Sequence, residues 1–312
     1  MDRRFLKNGY QRLSQPYIKT QTTAAMNSPK MYSSASEMQR RDAAEALSRF
    51  VGSMTWAEDS CETVLDIGCG SGEVTRCLLL PLLPATGRVV GVDASEAMVR
   101  FAAAKHRHPR LSFRKMDIVL PNLRKEFPLG FQKVFSFFCL HWVQEQRQAL
   151  RNVYELLVPG GEALLVFLAS SPIFNVYEQQ ANDSRWGKYM RDYTKFVSPY
   201  HHSKKPQREM NELLQDVGFD VLSCDCRERV FVHNGLAPLK DAVRAINPFM
   251  DRIPDVFHDD YLADILSESR KLKNLVQIED EKAHMLSFLI QQSYRVYQAP
   301  PLPEKNHSKS ET

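Results

Sequence analysis

Val64-Leu65-Asp66-Ile67-Gly68-Cys69-Gly70-Ser71-Gly72-Glu73 joins an apolar strand to a glycine turn and the start of a helix. Residues 63–67 read as a short buried strand. Glycines at 68, 70 and 72 let the backbone turn sharply and approach a ligand without side-chain obstruction. Further strands are expected at 88–92, 111–116, 134–138 and 163–168. Helices are expected at 73–80, at 95–105 with Ser95 as N-cap, and at 144–157. In the last of these Ala149, Leu150, Val153, Leu156 and Leu157 form the buried stripe, and Pro159-Gly160-Gly161 stops it. Ahead of the glycine turn, 36–54 reads as an amphipathic helix with Ala43, Ala44, Leu47, Phe50, Val51 and Met54 on one face. Strands alternating with helices imply an α/β fold, a parallel sheet wrapped on both faces. Ligands then bind beyond the carboxyl ends of the strands, at the switch point of the topology.

After Ser170 the rhythm changes. Residues 171–205 are aromatic and polar, with Phe174, Tyr177, Trp186, Tyr189, Tyr193, Phe196 and Tyr200. Placed at the carboxyl edge of the strand before it, this segment would hang over the cleft as a lid. A helix at 207–217, a long strand at 219–233 and helical segments at 236–247 and 255–273 are expected next. A final strand signal falls within 284–298, and 299–312 is a tail containing Pro and Lys. Cys224-x-Cys226 has the wrong spacing for a zinc knuckle and lacks a second pair. The two thiols are expected on one face of the long strand, and no metal is expected.

Lys plus Arg is 41 against 37 Asp plus Glu, a formal net charge of +4. Residues 1–31 carry +5 of it, so the rest of the chain sums to −1. A body so close to neutral is a poor match for phosphate backbones, which argues against nucleic acid as a partner. No apolar run approaches the roughly 20 residues of a membrane helix, and no apolar h-region follows the basic start. Six cysteines scattered through 312 residues suggest reduced thiols in a cytosolic setting. Residues 1–33 read as a disordered basic extension. Leu6, Tyr10, Leu13 and Tyr17 at helical spacing leave mitochondrial import as the lesser alternative, although Pro16 would interrupt that helix.

A dinucleotide fold would place its third glycine where Glu73 stands. A carboxylate there opposes a pyrophosphate, whereas a ligand carrying an ammonium and a sulfonium tolerates it. Asp93 ends the second strand, where an acid can accept from both ribose hydroxyls; capping the next helix is its plainer role, for which Ser95 is better placed. Asp117 ends the third strand and could accept from an adenine amino group, with Ile118 and Met98 as apolar walls, or serve only in a strand-end turn. Leu157-Val158-Pro159-Gly160-Gly161 precedes the fifth strand as a helix stop. Four elements in this order resemble a class I S-adenosylmethionine-dependent methyltransferase. The expected cofactor-binding set is Asp66, Gly68, Gly70, Gly72, Asp93, Met98, Asp117, Ile118 and Phe138.

The end of the fourth strand, Phe135-Ser136-Phe137-Phe138-Cys139-Leu140-His141-Trp142, would face the transferred methyl group. It lacks the Asn-Pro-Pro-aromatic run that amino-group methylating enzymes often show. His141 and Trp142 can instead offer N–H donors to an anion, and Gln39 can add an amide donor. The plainer alternatives are that Trp142 anchors the neighbouring helix and that Gln39 is a solvated helix residue.

A more specific likeness rests on Met38-Gln39-Arg40-Arg41-Asp42, the loop 66–72, Ser136–Trp142 and Ser171-Pro172-Ile173-Phe174-Asn175-Val176-Tyr177. Phe196-Val197-Ser198-Pro199-Tyr200-His201 and Ala245-Ile246-Asn247-Pro248-Phe249 extend it. Together these resemble the juvenile hormone acid O-methyltransferases of arthropods from about residue 31 to residue 250, with a weak further match at 293–297. The resemblance implies a single Rossmann-like domain at 34–298, with a mostly parallel seven-stranded sheet and a helical lid built from 171–205 and about 236–280. It implies methyl transfer to the carboxylate of a hydrophobic acid such as farnesoic or juvenile hormone acid, held by Gln39 and Trp142 with His141 beside them. Departures are the basic extension before Met31 and the divergent 250–292. The rivals are a class I enzyme acting on a fatty acid or a small polycarboxylate, whose pocket should carry Arg, and an idle S-adenosylmethionine-binding protein. A monomer or a homodimer is expected.

Overall fold

The computed structural model describes residues 28–56, 62–233, 235–271 and 280–292. Seven strands form one sheet in the order β3-β2-β1-β4-β5-β7-β6. They are β1 (Thr63–Ile67), β2 (Arg88–Asp93), β3 (Leu111–Lys115), β4 (Phe131–Phe137), β5 (Leu157–Ser170), β6 (Phe219–Val232) and β7 (Asp280–Gln292). β1 through β5 pair in parallel, and β7 runs antiparallel between β5 and β6. The chain walks outward from β1 to β3 and returns to lay β4 beside β1. The switch point therefore lies between the carboxyl ends of β1 and β4, where Gly68 and Phe138 follow them.

Alternation along the central strands feeds two apolar layers. Val64, Phe135, Leu164 and Val166 face one layer, closed by Ala43, Leu47 and Phe50 of α2 (Glu37–Phe50). Leu65, Val134, Ala163 and Leu165 face the other, against Ala149, Leu150, Val153 and Leu156 of α4 (Gln146–Leu156). Met210 and Leu214 of α6 (Pro206–Val217) complete that second layer. Burying a leucine such as Leu150 stabilises the fold by about 2–3 kcal/mol relative to leaving it in water.

Several expectations change. The expected helix at 36–54 is α2 with a 3₁₀ turn, Val51–Ser53, at its end, and a separate short helix, α1 (Pro29–Ala35), precedes it across Ser36. Residues 29–33, read as extension, are thus helical: Pro29 is pre-set for a first turn, and Tyr32 finds a surface on the glycine loop. On α2, Ala46 is buried where Ala44 was expected, and Asp42 is buried because Arg41 and Arg229 reach its carboxylate. The expected helix at 73–80 is mostly a π-helical turn, Thr75–Leu79, followed by a 3₁₀ turn. Thr75 is drawn inward to Asp66, and Pro81 leaves no length for regular turns.

α3 (Glu96–Lys105) is capped by Ser95, whose hydroxyl accepts from the Met98 amide. Beyond β5, α5 (Pro172–Ala181), α7 (Leu236–Ile246) and α8 (His258–Lys271) cover the carboxyl end of the sheet. Their own core centres on Phe249, edge-on to Tyr177 and Phe196, with Trp186 donating to Asp264 Oδ2 at 2.8 Å. Asn247 secures that corner by accepting from the Phe249 amide at 2.9 Å. Cys224 and Cys226 both lie in β6. The final strand begins earlier than expected, at Asp280. Residues 1–27, 293–298, the tail 299–312 and Cys61 lie outside the described residues. Among the described residues no helix is long and apolar enough to cross a membrane.

Candidate active site

The glycine loop is held by its neighbours before any ligand is considered. The amides of Gly68 and Cys69 donate to the Val92 carbonyl at 2.8 and 3.0 Å, tying the loop to β2. Gly68 has φ +73°, and a Cβ there would stand 2.3 Å from that of Cys139, so no larger residue fits. Gly72, at φ +84°, packs so closely on Phe113 and His106 that a Cβ would come within 2.9 Å of each. It serves the helix-packing role, one residue before Glu73.

Asp93 is 6% exposed, and its two oxygens accept from the amides of Gly70 and Ser95 at 2.9 and 2.8 Å. Burial raises its pKa, and those two amides oppose the rise. Each oxygen keeps a second lone pair for a ligand hydroxyl. Asp66, 2% exposed, accepts from the Thr75 hydroxyl at 2.6 Å, and burial lifts its pKa to about 7. Glu73 is bound by Ser33, Ser71 and Lys105. Burial would raise its pKa, but these hydrogen bonds outweigh that and hold the carboxyl below its usual range. The structure therefore revises the charge argument. Lys105 partly neutralises Glu73, whose visible work is to clasp α1, the loop and α3 together.

Two cavities open at the switch point. The first is lined by Asp66, Gly68, Ser71 and Glu73 on the loop side and by Tyr32, Gln39 and Arg40 on the helical side. The second is walled by Met38, Phe138, Leu168, Ile173, Phe174 and Ile246, with Gln39, His141 and Trp142 as its polar members beside Tyr32 and Ser171. Tyr32 and Gln39 line both. Among the described residues no Arg or Lys lines the second.

The turn that presents His141 and Trp142 begins at Phe138, a non-glycine residue at φ +54°. Its amide donates to the Val166 carbonyl at 2.8 Å, and Gln146 Nε2 donates to the carbonyls of Leu140 and Val143 at 2.7 and 2.6 Å. A left-handed residue is held only where its surroundings over-determine it. His141 is 3% exposed, and burial lowers its pKa to about 3, so the ring is neutral. Trp142 meets Phe174 edge-on at 6.2 Å, and its indole N–H has no acceptor among the described residues. Gln39 Oε1 and His141 Nδ1 are buried without hydrogen-bond partners. Buried polar atoms are nearly always paired, so two orphans on residues that line one cavity mark a place for a ligand, to which the Nε2 end of the Gln39 amide is the donor.

Of the sequence-predicted residues, the structure brings together Gln39, Asp66, Gly68, Phe138, His141 and Trp142 on the cavity walls, with Gly70, Gly72 and Asp93 shaping the loop behind them. Met98, Asp117 and Ile118 lie outside both linings. Met98 and Ile118 are buried, and Asp117 Oδ1 accepts from the Val119 amide at 3.2 Å. Of the lid aromatics, Phe174 reaches the second cavity, whereas Tyr177 and Trp186 are core of the lid itself. Sequence reasoning missed Tyr32, whose Cε1 is 3.3 Å from where a Gly70 Cβ would be. Burial and the nearby Asp93 and Glu73 carboxylates push its phenol up, so the hydroxyl stays protonated. It lies in α1, across the break at Ser36 from Gln39 of α2, and the composition of its segment carried no signal for it.

The acceptors and close backbone approach of the first cavity fit S-adenosylmethionine. A family described as a methyltransferase domain matches residues 64–161. The chain is 41% identical over 261 residues to juvenile hormone acid O-methyltransferase of Drosophila melanogaster, covering 82% of this chain and 88% of that protein. It is 34% identical to juvenile hormone acid O-methyltransferase of Bombyx mori, over 87% of this chain and 95% of that one. A solved SAM-dependent methyltransferase from Anabaena variabilis ATCC 29413 superposes with a TM-score of 0.53 at 15% identity, over 88% of this chain and 96% of its own, a likeness of fold alone. With its glycine loop, its acid-ended second strand and these relatives, the chain is a class I S-adenosylmethionine-dependent methyltransferase and belongs to the juvenile hormone acid O-methyltransferase family.

Proposed function

We propose that this enzyme methylates the carboxylate of a hydrophobic, sesquiterpenoid-like acid, of the farnesoic or juvenile hormone acid type, to its methyl ester. The observation that carries the reading is the acid cavity. Its walls are apolar and aromatic, no Arg or Lys lines it among the described residues, and the Gln39 amide, the Trp142 indole and the neutral His141 ring line it as the uncharged groups with N–H donors. A polycarboxylate pocket would need cationic donors, so a single carboxylate on an apolar chain is the better match.

When bound, S-adenosylmethionine supplies an electrophilic sulfonium methyl. A carboxylic acid is already ionised at neutral pH, so no general base is required. In this reading the Gln39 amide and the Trp142 indole hold one carboxylate oxygen and leave the other free to attack. His141, neutral, adds a donor without neutralising the nucleophile. Met38, Phe138, Ile173 and Phe174 exclude water, which favours a reaction that consumes an anion and a cation. Alignment of reacting groups to about 3–3.5 Å can itself supply several kcal/mol. Asp66, the loop glycines and Asp93 serve the first cavity as cofactor contacts, with Met98, Asp117 and Ile118 as its outer neighbours.

The test is incubation with methyl-labelled S-adenosylmethionine and a panel holding farnesoic acid, a juvenile hormone acid, a saturated fatty acid and aconitate. Labelled ester from the isoprenoid acids is expected. Preference for aconitate, or labelled cofactor binding with no ester from any acid, would overturn the reading.

A further inference from the structure

α5 and the turn following the lid aromatics bring Glu178, His201 and His202 together. One nitrogen of each imidazole and one carboxylate oxygen lie within 4.8 Å of one another. Glu178 Oε1 is 2.7 Å from His202 Nε2, which alone would be an ordinary exposed pair. His201 is different. Asn175 Oδ1 lies 3.1 Å from its Nε2, and as an acceptor it fixes the proton there. Nδ1 then carries the lone pair, and that atom is buried with no hydrogen-bond partner. A ring held by a carbonyl acceptor on one nitrogen, with the other left bare, is the usual preparation of a metal-ligating histidine.

We propose that Glu178, His201 and His202 form a three-ligand site for a divalent transition metal of the zinc class, and that metal bound there fixes the lid. Two imidazoles and a carboxylate favour zinc, cobalt or nickel over magnesium or calcium, and leave a fourth position to water. Ligand atoms on a tetrahedral ion stand about 3.4 Å apart, against separations of up to 4.8 Å here, so binding draws the three side chains together. Asn175 and Glu178 share one face of α5 with Phe174 close by, and Phe174 meets the His201 ring edge-on at 5.3 Å. Phe174 and Ile173 are walls of the acid cavity. Ser198 Oγ anchors the other side of the site by donating to the Leu168 carbonyl at 3.0 Å. Metal would therefore staple α5 to the turn beside β5. The effect on turnover rests on the function proposed above; binding itself does not.

The full-length protein titrated with Co²⁺ is expected to develop the visible bands of a four-coordinate site at one equivalent, bleached by Zn²⁺. Substituting His202→Ala or Glu178→Gln, both at exposed or half-buried positions, should weaken binding about tenfold or more. Asn175→Ala should also weaken it, through the bare His201 ring, by about 10–100-fold. Absence of the bands, or binding that His202→Ala leaves unchanged in a protein with a wild-type urea midpoint, overturns the site. Zn²⁺ should slow ester formation in wild type and not in His202→Ala. Equal turnover with and without bound metal refutes the lid effect while the Co²⁺ titration still reads the site. Failure to methylate any acid counts against the proposed function alone.

Discussion

Asp93 Oδ2 accepts from the Gly70 amide at 2.9 Å, so the acid that ends β2 sets the shape of the glycine loop before meeting any ligand. Its second oxygen does the same for Ser95 at the head of α3. Replacing Asp93 by Ala strips both buried amides of their acceptor, at a cost of about 1–3 kcal/mol for each group left unpaired. Both a lower urea midpoint and a tenfold or greater rise in cofactor Kd are expected. Calorimetry with S-adenosylhomocysteine reads the second, and an unchanged Kd would remove Asp93 from the cofactor site.

Trp142→Phe keeps the ring that meets Phe174 and removes only the indole N–H. A hydrogen bond to a charged group contributes about 1.5–3 kcal/mol, so kcat/KM for the acid should fall about 10–100-fold. Cofactor Kd should stay within twofold, because Trp142 lines only the acid cavity. Gln39→Ala should lower kcat/KM similarly, with a larger effect on cofactor Kd, since Gln39 faces both cavities. Steady-state kinetics beside calorimetry distinguish the two.

Two buried groups give stability opposite dependences on pH. Burial lowers His141 to about 3, below the ordinary value of 6.5, so the unfolded chain takes up this proton first. Its contribution is whole above 6.5 and is lost as pH falls toward 3. Burial raises Asp66 from 3.8 to about 7, so its contribution is whole below 3.8 and is lost as pH rises through 7. Asp66→Asn should therefore flatten the decline between about pH 4 and 7, and His141→Gln should flatten the acid-side decline. Urea midpoints measured across that range check both slopes.

Lys133 and Glu162 are 5% and 2% exposed, with Nζ and Oε2 3.3 Å apart, and the same oxygen accepts from the Thr55 amide at 2.9 Å. Removing one partner strands the other, and Lys133→Met should destabilise the fold by about 3–5 kcal/mol. The double substitution Lys133→Met with Glu162→Gln should recover part of that loss. A loss in the double variant equal to the sum of the two single losses would mean that the pair is not coupled.

The sheet was legible because its signals are local: five short apolar runs fell on the first five strands, whereas β5 starts already at Leu157, so that Pro159-Gly160-Gly161, read as a helix stop, lies inside the strand. The loop was legible for the same reason, since Gly68 and Gly72 stand where no Cβ fits. What escaped depended on contacts remote in sequence. The segment 29–33 has the composition of a tail, and only the glycine loop some forty residues later gives Tyr32 something to pack on. Composition places Trp186 in an aromatic lid segment, and only Asp264 of α8, which accepts from its indole, shows that it belongs to the lid's own core. Glu73 invites a charge argument until Lys105, from the far end of α3, is found against it.

Tyr32 and Gln39 form a party wall between the two cavities. Any movement of these two side chains on filling one cavity reshapes the other. Whatever factor the cofactor imposes on the affinity for the acid, the acid imposes on the affinity for the cofactor. The shared wall is thus where a coupling between the two ligands would be carried.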